Sequence, residues 1–221
     1  MKVVDCYCRR HVDSTVRAIA RAAVTVLVCV AVAGCVGNGP RRHSDGGGPL
    51  GVAGSSADET VVAYPVDDQD LPSRGPWSFG GIDLCLDTVD GEAVLTGVAP
   101  RETIGEAVEF VGSVVRNRWE GQGPMRSLFG FPPSPHTRFR SAQGEMITDR
   151  CVDTSSNRRG QVELIVGLAY AGQDGGGLAG ESISYTYAGD EYVLELDTRL
   201  IVCGRDPALA DACPRYYLQV D

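Results

Sequence analysis

The sequence predicts an antiparallel β-sandwich of about seven strands over residues 76–221, and three observations predict it. Apolar residues recur with a period of two, which is the spacing of a strand with one buried face. Turn signals such as Asp90-Gly91 and Gly189-Asp190 separate the alternating runs. Four cysteines fall within these residues, an even number suited to two crosslinks that staple a modest core.

The elements come in a definite order. Ala22 to Gly34 reads AAVTVLVCVAVAG, an uncharged run of 13 residues, preceded by Arg9, Arg10, Arg17 and Arg21. A basic flank, a short apolar core and small residues at its end are the parts of a secretory signal. The run is too short to span a bilayer, which takes about 20 residues, and Asn38, Pro40, Arg41 and Arg42 bar its extension. Residues 1–34 are therefore expected to be a leader. Residues 35–75 follow as a flexible linker rich in Gly, Ser, Pro and Asp, too polar to offset its own ordering entropy. Forty such residues would reach roughly 35 Å. Thr60 to Tyr64 is an apolar patch within the linker, read as a sticky spot or an added edge strand. Asp67, Asp68 and Asp70 lack the glycine and terminal glutamate of a calcium loop and read as solvated charge.

The domain begins near Pro76. Ile82, Leu84 and Leu86 alternate, and Ala93 to Val98 forms the next strand. Glu102 to Trp119 fits a helix at Ile104, Val108, Val111 and Val115, and a strand at Val108, Phe110, Gly112 and Val114. Its β-branched residues and two internal glycines weigh towards a strand over Ala107–Arg116. Gly121–Gln143 holds four prolines with Phe129, Phe131 and Phe139 and reads as a long irregular loop. Val162, Leu164, Val166 and Leu168 alternate, as do Ile183, Tyr185 and Tyr187. Tyr192, Leu194 and Leu196 begin another strand. Leu200 to Val202 leads into Cys203, and Tyr216 to Val220 closes the chain.

The cysteines sort by position. Cys6, Cys8 and Cys29 lie in the leader, and Cys35 stands at its end. Cys85, Cys151, Cys203 and Cys213 remain, with three possible pairings. Cys203–Cys213 is favoured because it closes a short loop, which leaves Cys85–Cys151. A zinc site is not expected, since there is no CxxC spacing and residues 76–221 hold one histidine, His136.

Val32-Ala33-Gly34-Cys35 resembles the lipobox of bacterial lipoproteins: an aliphatic residue, two small ones, then cysteine. The resemblance implies cleavage before Cys35 and acyl chains on its thiol. One chain anchors marginally, whereas two hold firmly. An ordinary secretory signal and an uncleaved anchor are the alternatives. The leader departs from the pattern in its length and in Cys6, Cys8, Asp5 and Asp13. One lysine stands against 19 arginines, a composition typical of a high-GC bacterial genome. The domain then resembles the single Ig-like domain of exported actinobacterial lipoproteins, on the Leu84-Cys85 strand, the long late hairpin and Val202-Cys203 followed by a second cysteine. That likeness implies an extracytoplasmic, membrane-anchored place and a sandwich fold, with no assigned chemistry.

Charge narrows the partners. The chain carries 20 basic and 29 acidic residues. Loss of residues 1–34 removes Lys2, four arginines, Asp5 and Asp13, leaving 15 basic against 27 acidic and a net charge of −12. Nucleic acid, which needs a basic face, is not an expected partner. Catalytic motifs fare no better. Gly175 to Gly180 satisfies G-x-G-x-x-G, but a strand follows where a dinucleotide fold needs a helix, so the run reads as a flexible hairpin loop. No G-x-S-x-G elbow exists, and His136 lies in a Pro-rich loop. Carboxylates are too many for any pair to be singled out as a glycosidase site.

The expectation is thus a lipid-anchored binding or scaffolding module rather than an enzyme, with no cofactor and no metal. Its partner would be an envelope protein or a cell-wall component. Met125–Phe139 of the long loop is the expected binding surface, with Phe129, Phe131, His136 and Phe139 as contacts. The alternatives are an envelope hydrolase using acidic loop residues and a carrier of lipids or small molecules.

Overall fold

Residues two apart share a face in an extended chain, and the apolar ones of this chain are buried together. In the computed structural model, Ile82, Leu84 and Leu86 are buried in one cluster with Leu164, Ile183 and Leu194. The structure describes residues 39–53, 61–65, 76–118, 125, 127–133, 139–151, 162–170, 174–204 and 206–213, with backbone alone for 61–65 and 127–129.

Twelve strands follow in order among the described residues. They are β1 (Arg41–Ser44), β2 (Leu50–Val52), β3 (Val61–Pro65), β4 (Trp77–Leu86), β5 (Ala93–Ile104) and β6 (Val108–Asn117). Then come β7 (Ser127–Phe129), β8 (Arg140–Ser141), β9 (Met146–Ile147), β10 (Val162–Tyr170), β11 (Gly176–Tyr187) and β12 (Asp190–Cys203). One sheet runs β1-β12-β11-β5-β9, with β3 also on β12. The other runs β2-β4-β10-β6-β8, with β7 also on β4. The two sheets enclose the core as a β-sandwich. The ambiguous stretch after Glu102 is extended where described: β5 ends at Ile104 and β6 runs Val108–Asn117, while Trp119 lies outside the described residues.

Three expectations need correction. The linker expected over residues 35–75 contains β1, β2 and β3, and the folded unit begins at Gly39 rather than Pro76. Leu50 is 0 % exposed. The Arg41-Arg42-His43-Ser44 segment shows no alternation because it is an edge strand, held by its backbone to β12 in parallel register, Arg41 opposite Tyr192. β3 is parallel to β12 as well, so the sandwich is antiparallel only in its main body. The glycine run is not a hairpin loop. Gly176 to Gly180 opens β11 and is mostly buried, because the missing side chains let β12 close in: a Cβ on Gly177 would overlap the Leu200 carbonyl. The two strands expected at Tyr192–Leu196 and Leu200–Val202 are one continuous strand, β12. Cys35, the leader, the Asp67–Asp70 cluster and the Tyr216–Val220 strand lie outside the described residues.

Both disulfides form as expected, Cys85–Cys151 with Cα atoms 4.9 Å apart and Cys203–Cys213 at 5.7 Å. The first ties the end of β4 to the segment after β9. The second holds a 3₁₀ turn, Pro207–Leu209, against the outer face of β12, where Leu209 packs on Ile201 and Cys203.

The interior is divided along its length. One cluster holds Leu84, Leu95, Val115, Leu164, Ile183 and Leu194. The other holds Phe79, Val108, Val166, Leu178, Leu200 and Val202. Bulges lie at the divide: β10 slips against β4 between Leu164 and Val166, and β11 slips against β12 between Ala179 and Glu181.

Candidate functional site

The long Phe-rich loop was the expected binding surface, and the structure shows what holds part of it. Asp83 of β4, Glu163 of β10 and Arg116 of β6 stand side by side on the outer face of their sheet. Glu163 is 0 % exposed. It accepts from Arg116 Nε at 2.6 Å, from the Gly81 N–H at 2.8 Å and from the Met125 N–H at 2.6 Å. Arg118, itself buried, pairs with Asp83. A buried carboxylate survives when its lone pairs are filled, and here the loop backbone at Met125 fills one of them. Further along, Ser78 Oγ donates to the Gly130 carbonyl at 2.5 Å, and the Gly130 N–H donates to the Pro76 carbonyl at 2.7 Å.

The four expected contact residues do not act alike. Phe131 is half-buried, and its ring lies on Gly167, where a Cβ would overlap it, and near Gly112, the cross-strand partner of Gly167. Phe131 therefore packs on its own sheet. Phe129 pairs through its backbone with Trp77. Phe139 is half-buried just before β8. His136 lies outside the described residues.

A second group of polar residues gathers at one end of the sandwich. His43, assigned from the sequence to the linker, lies on β1 and meets Tyr185 of β11. Its Nε2 is 2.6 Å from the Tyr185 hydroxyl, and its Nδ1 is 2.8 Å from the Ser44 carbonyl. The carbonyl only accepts, so in the neutral ring Nδ1 carries the proton and Nε2 accepts from Tyr185 O–H. The Leu50 N–H reaches the same hydroxyl at 3.3 Å. The Tyr185 side chain is buried, and burial pushes its hydroxyl pKa up to about 12. It is thus a protonated donor, not a phenolate nucleophile. Tyr192 stacks on Tyr185 at 5.3 Å between centroids, and the Arg41 guanidinium stands 5.5 Å above the Tyr192 ring.

Two carboxylates converge beside this cluster. A Cβ on Gly51 would overlap Asp87 Oδ2 and come 3.0 Å from Asp45 Oδ1. Asp45 accepts from the Val52 N–H at 2.8 Å. Burial first, and then the Asp45 charge, raises the Asp87 carboxyl pKa from its ordinary value, with His43 opposing. Such a pair can share a proton or hold a cationic group. Among the described residues, no group of three or more His, Cys, Asp or Glu is placed to hold a metal ion.

The third feature is a lone acid inside the sandwich. Glu181 is 0 % exposed, and neither carboxylate oxygen has a hydrogen-bond partner. Gly180, at φ +74°, forms the bulge that puts Glu181 on the same face as Ile183 and Tyr185. Its register partners are Pro100 on β5 and Leu196 on β12. Burial raises its pKa to about 8, so it is largely protonated at neutral pH. The sequence carried this signal: Glu181 stands two residues before Ile183 in an alternating strand. The His43–Tyr185 contact left no such trace, because 142 residues separate the pair. Compared with protein-family models, curated proteins and solved structures, the chain shows no significant match to any of them.

Proposed function

We propose that this chain is a lipid-anchored lipoprotein on the extracytoplasmic face of the cell membrane. Its sandwich serves as a binding or scaffolding module for an envelope protein or a cell-wall component. One observation carries the reading: a basic and then apolar run that resembles a lipoprotein leader and ends in Val32-Ala33-Gly34-Cys35 precedes a domain closed by two disulfides. Crosslinks of this kind persist in oxidising compartments. The binding role draws support from how the polar groups are used. Glu163 fastens the loop, and Tyr185 with His43 fastens β1, so these groups serve the fold.

The test is intact-mass spectrometry of the protein extracted from its host's membranes, followed by crosslinking and identification of what comes with it. A mature chain starting at Cys35 with added acyl mass, joined to an envelope component, is the expected result. An unmodified chain in the medium, or a full-length chain with free thiols, overturns the anchored reading. A hydrolase acting on wall glycans is the second reading, favoured by the convergence of Asp45 and Asp87. It requires turnover by the purified domain that Asp87→Asn abolishes.

A further inference from the structure

The folded unit begins close behind the cysteine that the proposed function makes the anchor, and this fixes which end of the sandwich meets lipid. Six peptide units link Cys35 to Arg41, the first residue of β1. Fully extended, they span about 20 Å at most. Arg41 stands opposite Tyr192, two residues into β12 and beside the Ala188–Gly189 turn. The β4–β5 turn lies at the same end, since Tyr187 Oη donates to the Asp90 carbonyl at 2.6 Å and Ala93 pairs with Tyr187. Three large apolar side chains are strongly exposed among the described residues, and two are here. Val89, at 70 %, tips the β4–β5 turn. Met146, at 49 %, pairs with Val94 near the start of β5.

Resting on the lipidation of Cys35, we propose that this end of the sandwich sits on the membrane surface with Val89 among the lipid headgroups. The short link supplies the local concentration that a single valine could not. Charge does not supply it: Asp87, Asp90, Glu92, Asp190 and Glu191 belong to the turns and strand ends here, against Arg41 and Arg42, and Arg41 already pairs with Asp190, so the contact suits uncharged lipid. The opposite end then faces outward. β12 is 14 residues long, or about 45 Å, and it carries the Pro207–Leu209 turn that far from the lipid.

The experiment uses acylated protein, confirmed by mass, in phosphatidylcholine vesicles whose lipids carry bromine near the headgroup. Val89→Trp and Ala208→Trp are compared with the wild-type chain. The expected result is that the emission added by Val89→Trp is quenched several-fold more than that added by Ala208→Trp. Equal quenching of the two, or stronger quenching of Ala208→Trp, overturns the orientation while leaving the anchor intact. A membrane-extracted chain without acyl mass overturns the anchor and the orientation together.

Discussion

His43 and Tyr185 face each other across 142 residues of chain, with Nε2 and the hydroxyl 2.6 Å apart. The contact fastens the first strand to a central one. It is a clasp: the ring rests against Gly48, where a Cβ would come within 2.5 Å of ring atoms, and the hydroxyl also accepts from Leu50. Tyr185→Phe keeps the ring and removes the clasp. It should cost about 1–2 kcal/mol, the usual consequence of stranding a buried donor. Hydrogen exchange at residues 41–44 and 50 should quicken more than at β10. Uniform exchange behaviour would show that β1 is held by its backbone alone.

Glu181 should make the protein less stable as pH rises. Its folded pKa is about 8 against an ordinary 4.5, so the folded state keeps a proton that the unfolded state gives up. The fold bears no penalty below about pH 4.5. The penalty grows as pH rises and is complete once the folded pKa is passed. At pH 7 it amounts to roughly 3 kcal/mol, since each unit of difference is about 1.4 kcal/mol. Glu181→Gln should therefore raise the denaturation midpoint at pH 7 and much less at pH 4.5. A gain of equal size at both values would assign the effect to packing instead of ionisation.

Glu163 holds Met125, Gly81 and Arg116 at once. Glu163→Ala leaves the Arg116 charge buried without this partner and should cost about 3–5 kcal/mol. Limited proteolysis should show new cleavage around residue 125 before the rest of the sandwich opens. Cleavage unchanged from wild type would mean that other contacts hold the loop.

The two disulfides should differ in worth. Cys85–Cys151 closes a loop with a sequence separation of 66, and Cys203–Cys213 one of 10. Loop-closure entropy puts the losses at about 4 and about 3 kcal/mol. Replacing each pair by alanine and comparing urea midpoints tests the order. A larger loss at Cys203–Cys213 would point to the packing of Leu209 on Ile201 as the dominant contribution.

Much of the sandwich was legible because alternation is a local signal. Ile82, Leu84 and Leu86, or Ile183 and Tyr185, announce a buried face without knowledge of their neighbours. The cysteine pairing was legible from loop length. What stayed hidden depends on distant partners. β1 reads as linker because an edge strand held by backbone bonds needs no apolar pattern, and Arg42 is spent on a surface pair with Glu195. The glycine run reads as a loop because glycine's use for close backbone approach is invisible until β12 is beside it. Phe131 reads as a contact residue because nothing near it in the chain announces the Gly167–Gly112 shelf that receives it.

β1 and β3 come early in the chain, yet both pair with β12, which comes late. The sheet they belong to has no partner for them until residues 190–203 have been made. A ribosome or a translocation pore therefore delivers the amino-terminal segment long before its docking strand exists. Contacts of such long sequence separation slow folding. β1 and β3 consequently wait without their partner strand, and completion of the hairpin between β11 and β12 is the event that winds them in.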